Sequence, residues 1–206
     1  MSDNDLISFN TKELAKVEPT ARKIEVPVFN LVPENSHVLF EPLPWFDFEN
    51  PPVNPNTFAS SLVETCIKNR GLGLSANQCG FKYRVFVAGA GEDYVAYFNP
   101  KIIKMSTEET IGVEGCLSYP HLFLNVLRPT SVEVEYQDFN GDKHTTKFEG
   151  LTARVFLHEY DHMQGVTFTS RTKPLALKSG LDKRKKLFHK MEQAQKQLSK
   201  MAKGGR

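Results

Sequence analysis

Eight of the 12 prolines lie in the first 55 residues, at positions 19, 27, 33, 42, 44, 51, 52 and 55. Proline fixes φ and has no amide hydrogen to donate, so this quarter of the chain excludes long helices and interior strands. Phe29, Phe40, Trp45, Phe46 and Phe48 are interspersed among the prolines. Aromatic residues at this density argue for packing rather than solvation. The expectation is a mobile extension over 1–20 and an extended strap over 21–55, laid on a body formed by the rest.

That body has clear local signals. Asn54-Pro55 offers a helix cap followed by proline in the first turn, and Phe58, Leu62, Val63, Cys66 and Ile67 then recur at helical spacing up to Gly71. A helix is expected over about 56–69, then a glycine-punctuated loop, Gly71-Leu-Gly-Leu-Ser-Ala-Asn-Gln78. From Tyr83 to Glu149 the pattern is β. Tyr83–Ala88 and Tyr94–Phe98 read as strands, and Ser131–Gln137 alternates strictly, with Val132, Val134 and Tyr136 on one face. Asn140-Gly141 is a two-residue hairpin signal, and Lys143–Phe148 is the returning strand. A helix over 151–164, a short extended exit at Val166–Thr169 and a last helix over 175–201 complete the chain. The fold class is α+β, with antiparallel sheets around a central helix and a C-terminal helix. At 206 residues and 40% hydrophobic content, one substantial core is expected. The folded body spans 21–172 and a basic appendage 173–206.

Charge is divided between these parts. Residues 173–206 hold eleven Lys and Arg against Asp182 and Glu192, a net of +9, so the rest of this +2 chain carries −7. A basic, amphipathic tail on an acidic body is either a packed helix with a solvated face or a surface for nucleic-acid phosphates. The first residues, Met1-Ser-Asp-Asn-Asp-Leu, carry acids and no apolar stretch, and no apolar run approaches membrane-spanning length, so a cytoplasmic protein is expected. Cys66, Cys79 and Cys116 are an odd count at irregular spacing, which fits free thiols better than a disulfide framework.

The chemistry concentrates in His158-Glu-Tyr-Asp-His162. Imidazoles four residues apart on a helix leave from one face and can grip one ion, with Glu159 beside the first ligand to handle a proton. A catalytic site of this kind needs a third protein ligand. Downstream, His189 and Glu192 lie at no usual spacing; upstream, Cys116 stands in a glycine-flanked loop, Glu114-Gly-Cys-Leu-Ser118. Such a cysteine is either a ligand or a small buried hydrophobe.

Together, Gly71–Gln78, Glu114–Ser118 and His158–His162 resemble, in order and separation, the three signature motifs of the peptide deformylases. The likeness covers about residues 56–170 and makes 21–172 the catalytic domain. It implies hydrolysis of the N-formyl group from the initiator methionine of nascent polypeptides, releasing formate. It also implies one divalent ion held by Cys116, His158 and His162: generally Fe²⁺, with Zn²⁺, Ni²⁺ or Co²⁺ able to replace it. Glu159 would be the general base and then the acid. Gln78 and the Leu117 backbone N–H would donate to the oxyanion. Gly71, Leu72, Gly73, Glu114 and Gly115 would lie along the bound peptide, and Leu151 and Val155, on the helical face of His158, would wall the methionine pocket. The basic helix would dock on the ribosome, and the protein would act as a monomer. Two departures stand out: Leu157 replaces the usual glutamine before the first histidine, and Ser75 replaces an alanine, a mild change. The rival readings are a zinc endopeptidase, which leaves the Cys116 loop idle, and a catalytically silent ribosome- or RNA-binding protein.

Overall fold

The computed structural model describes residues 26–91 and 93–204. The expected mobile extension over 1–20 lies outside them. Helix α1 (Pro55–Lys68) starts where the sequence caps it: Asn54 Oδ1 accepts from Thr57 N at 2.9 Å and Pro55 takes the first position. Strands β1 (Gly73–Ser75), β2 (Val85–Ala90), β3 (Asp93–Met105), β6 (Ser131–Gln137) and β7 (Lys143–Glu149) form one antiparallel sheet in the order β1-β2-β3-β6-β7. Strands β4 (Glu109–Cys116) and β5 (Tyr119–Pro129) pair only with each other, as a ribbon inserted between β3 and β6. Helix α2 (Gly150–Met163) and helix α3 (Pro174–Gly204) follow. The α+β expectation holds.

Strand alternation decides which helix each face meets. Val85, Val87, Tyr94, Ala96 and Phe98 pack with Phe58, Leu62 and Cys66 of α1. The alternate residues Phe86, Ala88, Val95 and Tyr97 join Val132, Val134 and Tyr136 against Ala153, Phe156 and Leu157 of α2. The sheet is thus clasped between α1 and α2, and α2 is buried on nearly all sides. The strap, described from residue 26, packs through Phe29, Phe46 and Phe48, whereas Phe40 and Trp45 are exposed and His37–Phe40 forms a 3₁₀ turn. Phe46 is buried against Phe98, and its backbone N–H and C=O are both taken by the Asn99 side chain, at 2.7 and 2.9 Å.

Several local expectations are corrected. The Gly71–Gln78 loop contains strand β1 and a 3₁₀ turn over Ala76–Cys79, because Gly73, Leu74 and Ser75 pair with Ala88, Val87 and Phe86. Cys116 ends a strand rather than sitting in a loop. The extended exit at Val166–Thr169 is instead followed into a 3₁₀ turn over Phe168–Arg171, with Phe168 turned into the core under the ribbon. Ile67, counted in the helical recurrence of apolar residues along α1, is exposed. No described helix is long and apolar enough to cross a membrane.

Candidate active site and metal centre

Helix α2 carries His158, Glu159 and His162, and all three are buried. The tip of the β4–β5 ribbon brings Cys116 over them. One ligand atom from each of Cys116, His158 and His162 lies within 4.8 Å of the others, and Cys116 Sγ is 3.4 Å from His162 Nε2. Sulfur and imidazole nitrogen bound to one tetrahedral ion stand about 3.5 Å apart, so this donor set fits a cation. His189 and Glu192 are exposed on α3 and take no part.

The two imidazoles are held in opposite charge states. Burial lowers the His158 pKa, but hydrogen bonds to Cys116 and Glu114 and the negative field of Cys116 and Glu159 outweigh it and hold it up to about 10. His162 is pushed the other way, well below its ordinary value, by burial and by the charges of His158 and Arg128. A neutral imidazole is the form that ligates a metal.

A buried ionic network behind the ligands was missed by sequence reasoning. Glu114 Oε2 accepts from His158 Nδ1 at 3.0 Å and from Arg128 Nη2 at 2.9 Å; Oε1 accepts from Arg128 Nε and Arg154 Nη1, both at 2.9 Å. Arg128 reaches on to Asp161 Oδ2 at 2.6 Å, which also accepts from Arg171. The Glu114 carboxylate, expected along the bound peptide, is therefore engaged in orienting His158, and fixing one ring nitrogen leaves the other free to act as a ligand. A signal for this was present. Leu122, Leu124 and Val126 alternate inward along β5, and the next inward residue is Arg128. A buried guanidinium requires a carboxylate.

The remaining predicted residues meet around one cavity of about 500 Å³, lined by Gly71, Leu72, Gly73, Gln78, Glu114, Gly115, Cys116, Leu117, Leu151, Val155, His158 and Glu159. Val155 is also part of the core on the sheet side, so core residue and pocket wall are one and the same. Gln78 is aimed by three contacts: its Oε1 accepts from Ser75 N at 2.9 Å, and its Nε2 donates to Ser118 Oγ at 3.0 Å and to Cys116 Sγ at 3.4 Å. Its backbone carbonyl accepts from Val32 N at 2.9 Å, so the strap braces the turn. Leu157, in place of a polar residue, packs in the core, and its carbonyl accepts from Arg128.

Gly73 shows how tight the arrangement is. A Cβ there would come within 2.6 Å of Glu159 Oε1 and 2.8 Å of its Cγ. Gly73→Ala is expected to displace the Glu159 side chain and lower kcat by about 10²-fold, since ångström-scale misplacement costs that much. Retention of parental kcat in that variant would show that the carboxylate has room to spare.

Known proteins resemble this chain in sequence and in fold. The family model described as polypeptide deformylase matches residues 30–178. A peptide deformylase of Thermotoga neapolitana is 42% identical over 113 residues, 55% of this chain and 69% of that protein. One from Treponema pallidum is 45% identical over 114 residues, 55% of this chain and 70% of that protein. Among solved structures, a Synechococcus elongatus peptide deformylase in complex with actinonin superposes with a TM-score of 0.71 at 31% identity, covering 82% of this chain and 92% of that one. The Thermotoga maritima enzyme gives 0.65 at 33% identity, over 72% and 99%. On a family match over most of its length, the chain belongs to the polypeptide deformylase family.

Proposed function

We propose that this site removes the N-formyl group from the initiator methionine of nascent polypeptides, with Cys116, His158 and His162 holding one divalent ion, Fe²⁺ in the cell. Zn²⁺, Ni²⁺ and Co²⁺ suit the same mixed thiolate and imidazole donors. The observation that carries the reading is the meeting of Cys116 and His158, with His162 beside them, and of Glu159 and Gln78 on one cavity large enough for a methionyl side chain.

When bound, the cation supplies Lewis acidity, which makes water a usable nucleophile near neutral pH. The chain's own groups do the rest. The peptide lies along Gly71–Gly73 and Gly115, with methionine against Leu72, Leu151 and Val155. Glu159 takes the proton from the attacking water as oxygen bonds to the formyl carbon. Gln78 Nε2 and the Leu117 backbone N–H donate to the oxygen that becomes negative; a preorganised donor there is worth a few kcal/mol of barrier. Glu159 then delivers its proton to the methionine nitrogen as the carbon–nitrogen bond breaks, leaving formate and a free amine. The test is formate release from formyl-Met-Ala-Ser by anaerobically purified, iron-loaded protein beside Cys116→Ala. An iron-loaded parent that releases no formate would overturn the reading.

The protein acts as a cytoplasmic monomer, and the basic helix is its contact with the ribosome. Two parts of α3 divide the work. Up to Phe188 it is anchored: Leu177 packs under the ribbon, a Cβ on Gly180 would meet Leu124 at 2.6 Å, Arg184 pairs with Glu34 at 2.6 Å, and Phe188 sits edge-on to His121. From Met191 to Met201 every residue is exposed. Deleting 191–206 is expected to leave formate release unchanged and to abolish co-sedimentation with ribosomes at low salt. Equal sedimentation of both forms would remove residues 191–206 from the account.

A further inference from the structure

Glu159 is a long side chain on a buried helix, and a carboxylate that must exchange protons with a substrate needs one defined orientation. Helix packing alone does not supply it, because rotation about its terminal bonds moves both oxygens. Ser75 does. It ends strand β1 with extended backbone, φ −95° and ψ 150°, and is completely buried. Its hydroxyl donates to Glu159 Oε2 at 2.7 Å and lies 3.4 Å from the Glu159 backbone carbonyl. Among the described residues this is the hydrogen bond that the Glu159 carboxylate makes. The other oxygen, Oε1, lies on the Gly73 side, 2.6 Å from where a Cβ on that glycine would stand and where the peptide would run.

We propose that Ser75 is a positioning residue: its hydroxyl holds Glu159 Oε2 so that Oε1 faces the reacting atoms. The inference rests on the deformylase reading and deepens it. The same residue also aims the oxyanion donor, since its backbone N–H holds Gln78 Oε1 at 2.9 Å. One residue at the end of β1 thus sets two groups of the site, one through its side chain and one through its main chain. Only the first is open to mutation, which makes the two roles separable: Ser75→Ala removes the hydroxyl and keeps the N–H. The change also removes the hydroxyl half of the capping box that Ser75 forms with Gln78, so the crystal structure must read the position of Gln78 beside that of Glu159.

The test is Ser75→Ala, iron-loaded and compared with the parent for metal content, for kcat and KM in formate release, and for its crystal structure. The expected result is about a tenfold fall in kcat, the scale of one hydrogen bond to a charged group. KM and metal stoichiometry should be unchanged, because neither the peptide cradle nor the ligands are touched. In the crystal, the Glu159 carboxylate should leave its parental position or occupy several. An unmoved Glu159 would overturn the proposal, as would an unchanged kcat or a rise in KM equal to the loss of activity. The crystallographic arm does not depend on turnover, so it judges Ser75 even if the parent released no formate.

Discussion

Glu159→Ala is expected to lower kcat for formate release by at least about 10³-fold while the protein keeps a full complement of metal, the scale of general acid and base catalysis. The ligands Cys116, His158 and His162 are untouched, so metal content separates loss of proton transfer from loss of the ion. The environment of this carboxylate suits the task. Burial raises its pKa above the ordinary value, opposed by the charge of His158 and the hydrogen bond from Ser75. A base whose pKa is raised loses activity on the acid side at a higher pH than an exposed glutamate would, because it is protonated below its pKa. The parent should show that acid limb and Glu159→Ala should lack it. A variant within tenfold of the parent would mean that another group moves the proton.

Glu114→Ala should be the most destabilising single change near the site. The Glu114 side chain is 4% exposed and is paired with Arg128, Arg154 and His158. Removing it leaves Arg154 buried with only the carbonyls of Val126 and Thr110 as partners, and it unties His158. Breaking a buried pair costs about 3–5 kcal/mol, which for a domain of this size lowers Tm by about 10 °C. Metal affinity should fall by about 10–100-fold with the loss of the carboxylate behind the histidine. Burial alone would raise the Glu114 pKa, but hydrogen bonds from His158 and Arg128 and their charges outweigh it and hold it down to about 2. A carboxylate depressed in the folded state contributes stability above its unfolded pKa, near 4.5, and that contribution disappears as pH falls from about 4.5 to 2. The parent should lose about 3 kcal/mol across that window from this group, and Glu114→Gln, which keeps the shape without the titration, should not. Equal acid sensitivity of parent and Glu114→Gln would assign the loss to other carboxylates.

The sequence by itself determined whatever depends on neighbours a few residues away. Asn54 and Pro55 set the start of α1, the alternation of Val132, Val134 and Tyr136 sets the buried face of β6, and Asn140-Gly141 sets its hairpin with β7. The four-residue spacing of His158 and His162 puts both imidazoles on one helical face, so two ligands and the adjacent Glu159 follow from helical geometry. Cys116 was legible only through the resemblance of three motifs, since local pattern left both a ligand and a buried hydrophobe open. What only the tertiary structure decided lies between residues far apart in the chain. Glu114 and His158 are 44 positions apart, and Ser75 and Glu159 are 84. Periodicity says which face a residue occupies and nothing about which distant face it meets. The excursion of the β4–β5 ribbon carries Cys116 to the helix and Glu114 behind it. The pairing of β1 with β2 places the Ser75 hydroxyl on Glu159, where the sequence had suggested only a mild change. Packing of α3 up to Phe188, and not beyond, separates an anchor that carries Lys183–Lys186 from an exposed arm over 191–201, a division that composition gave as a single charged tail.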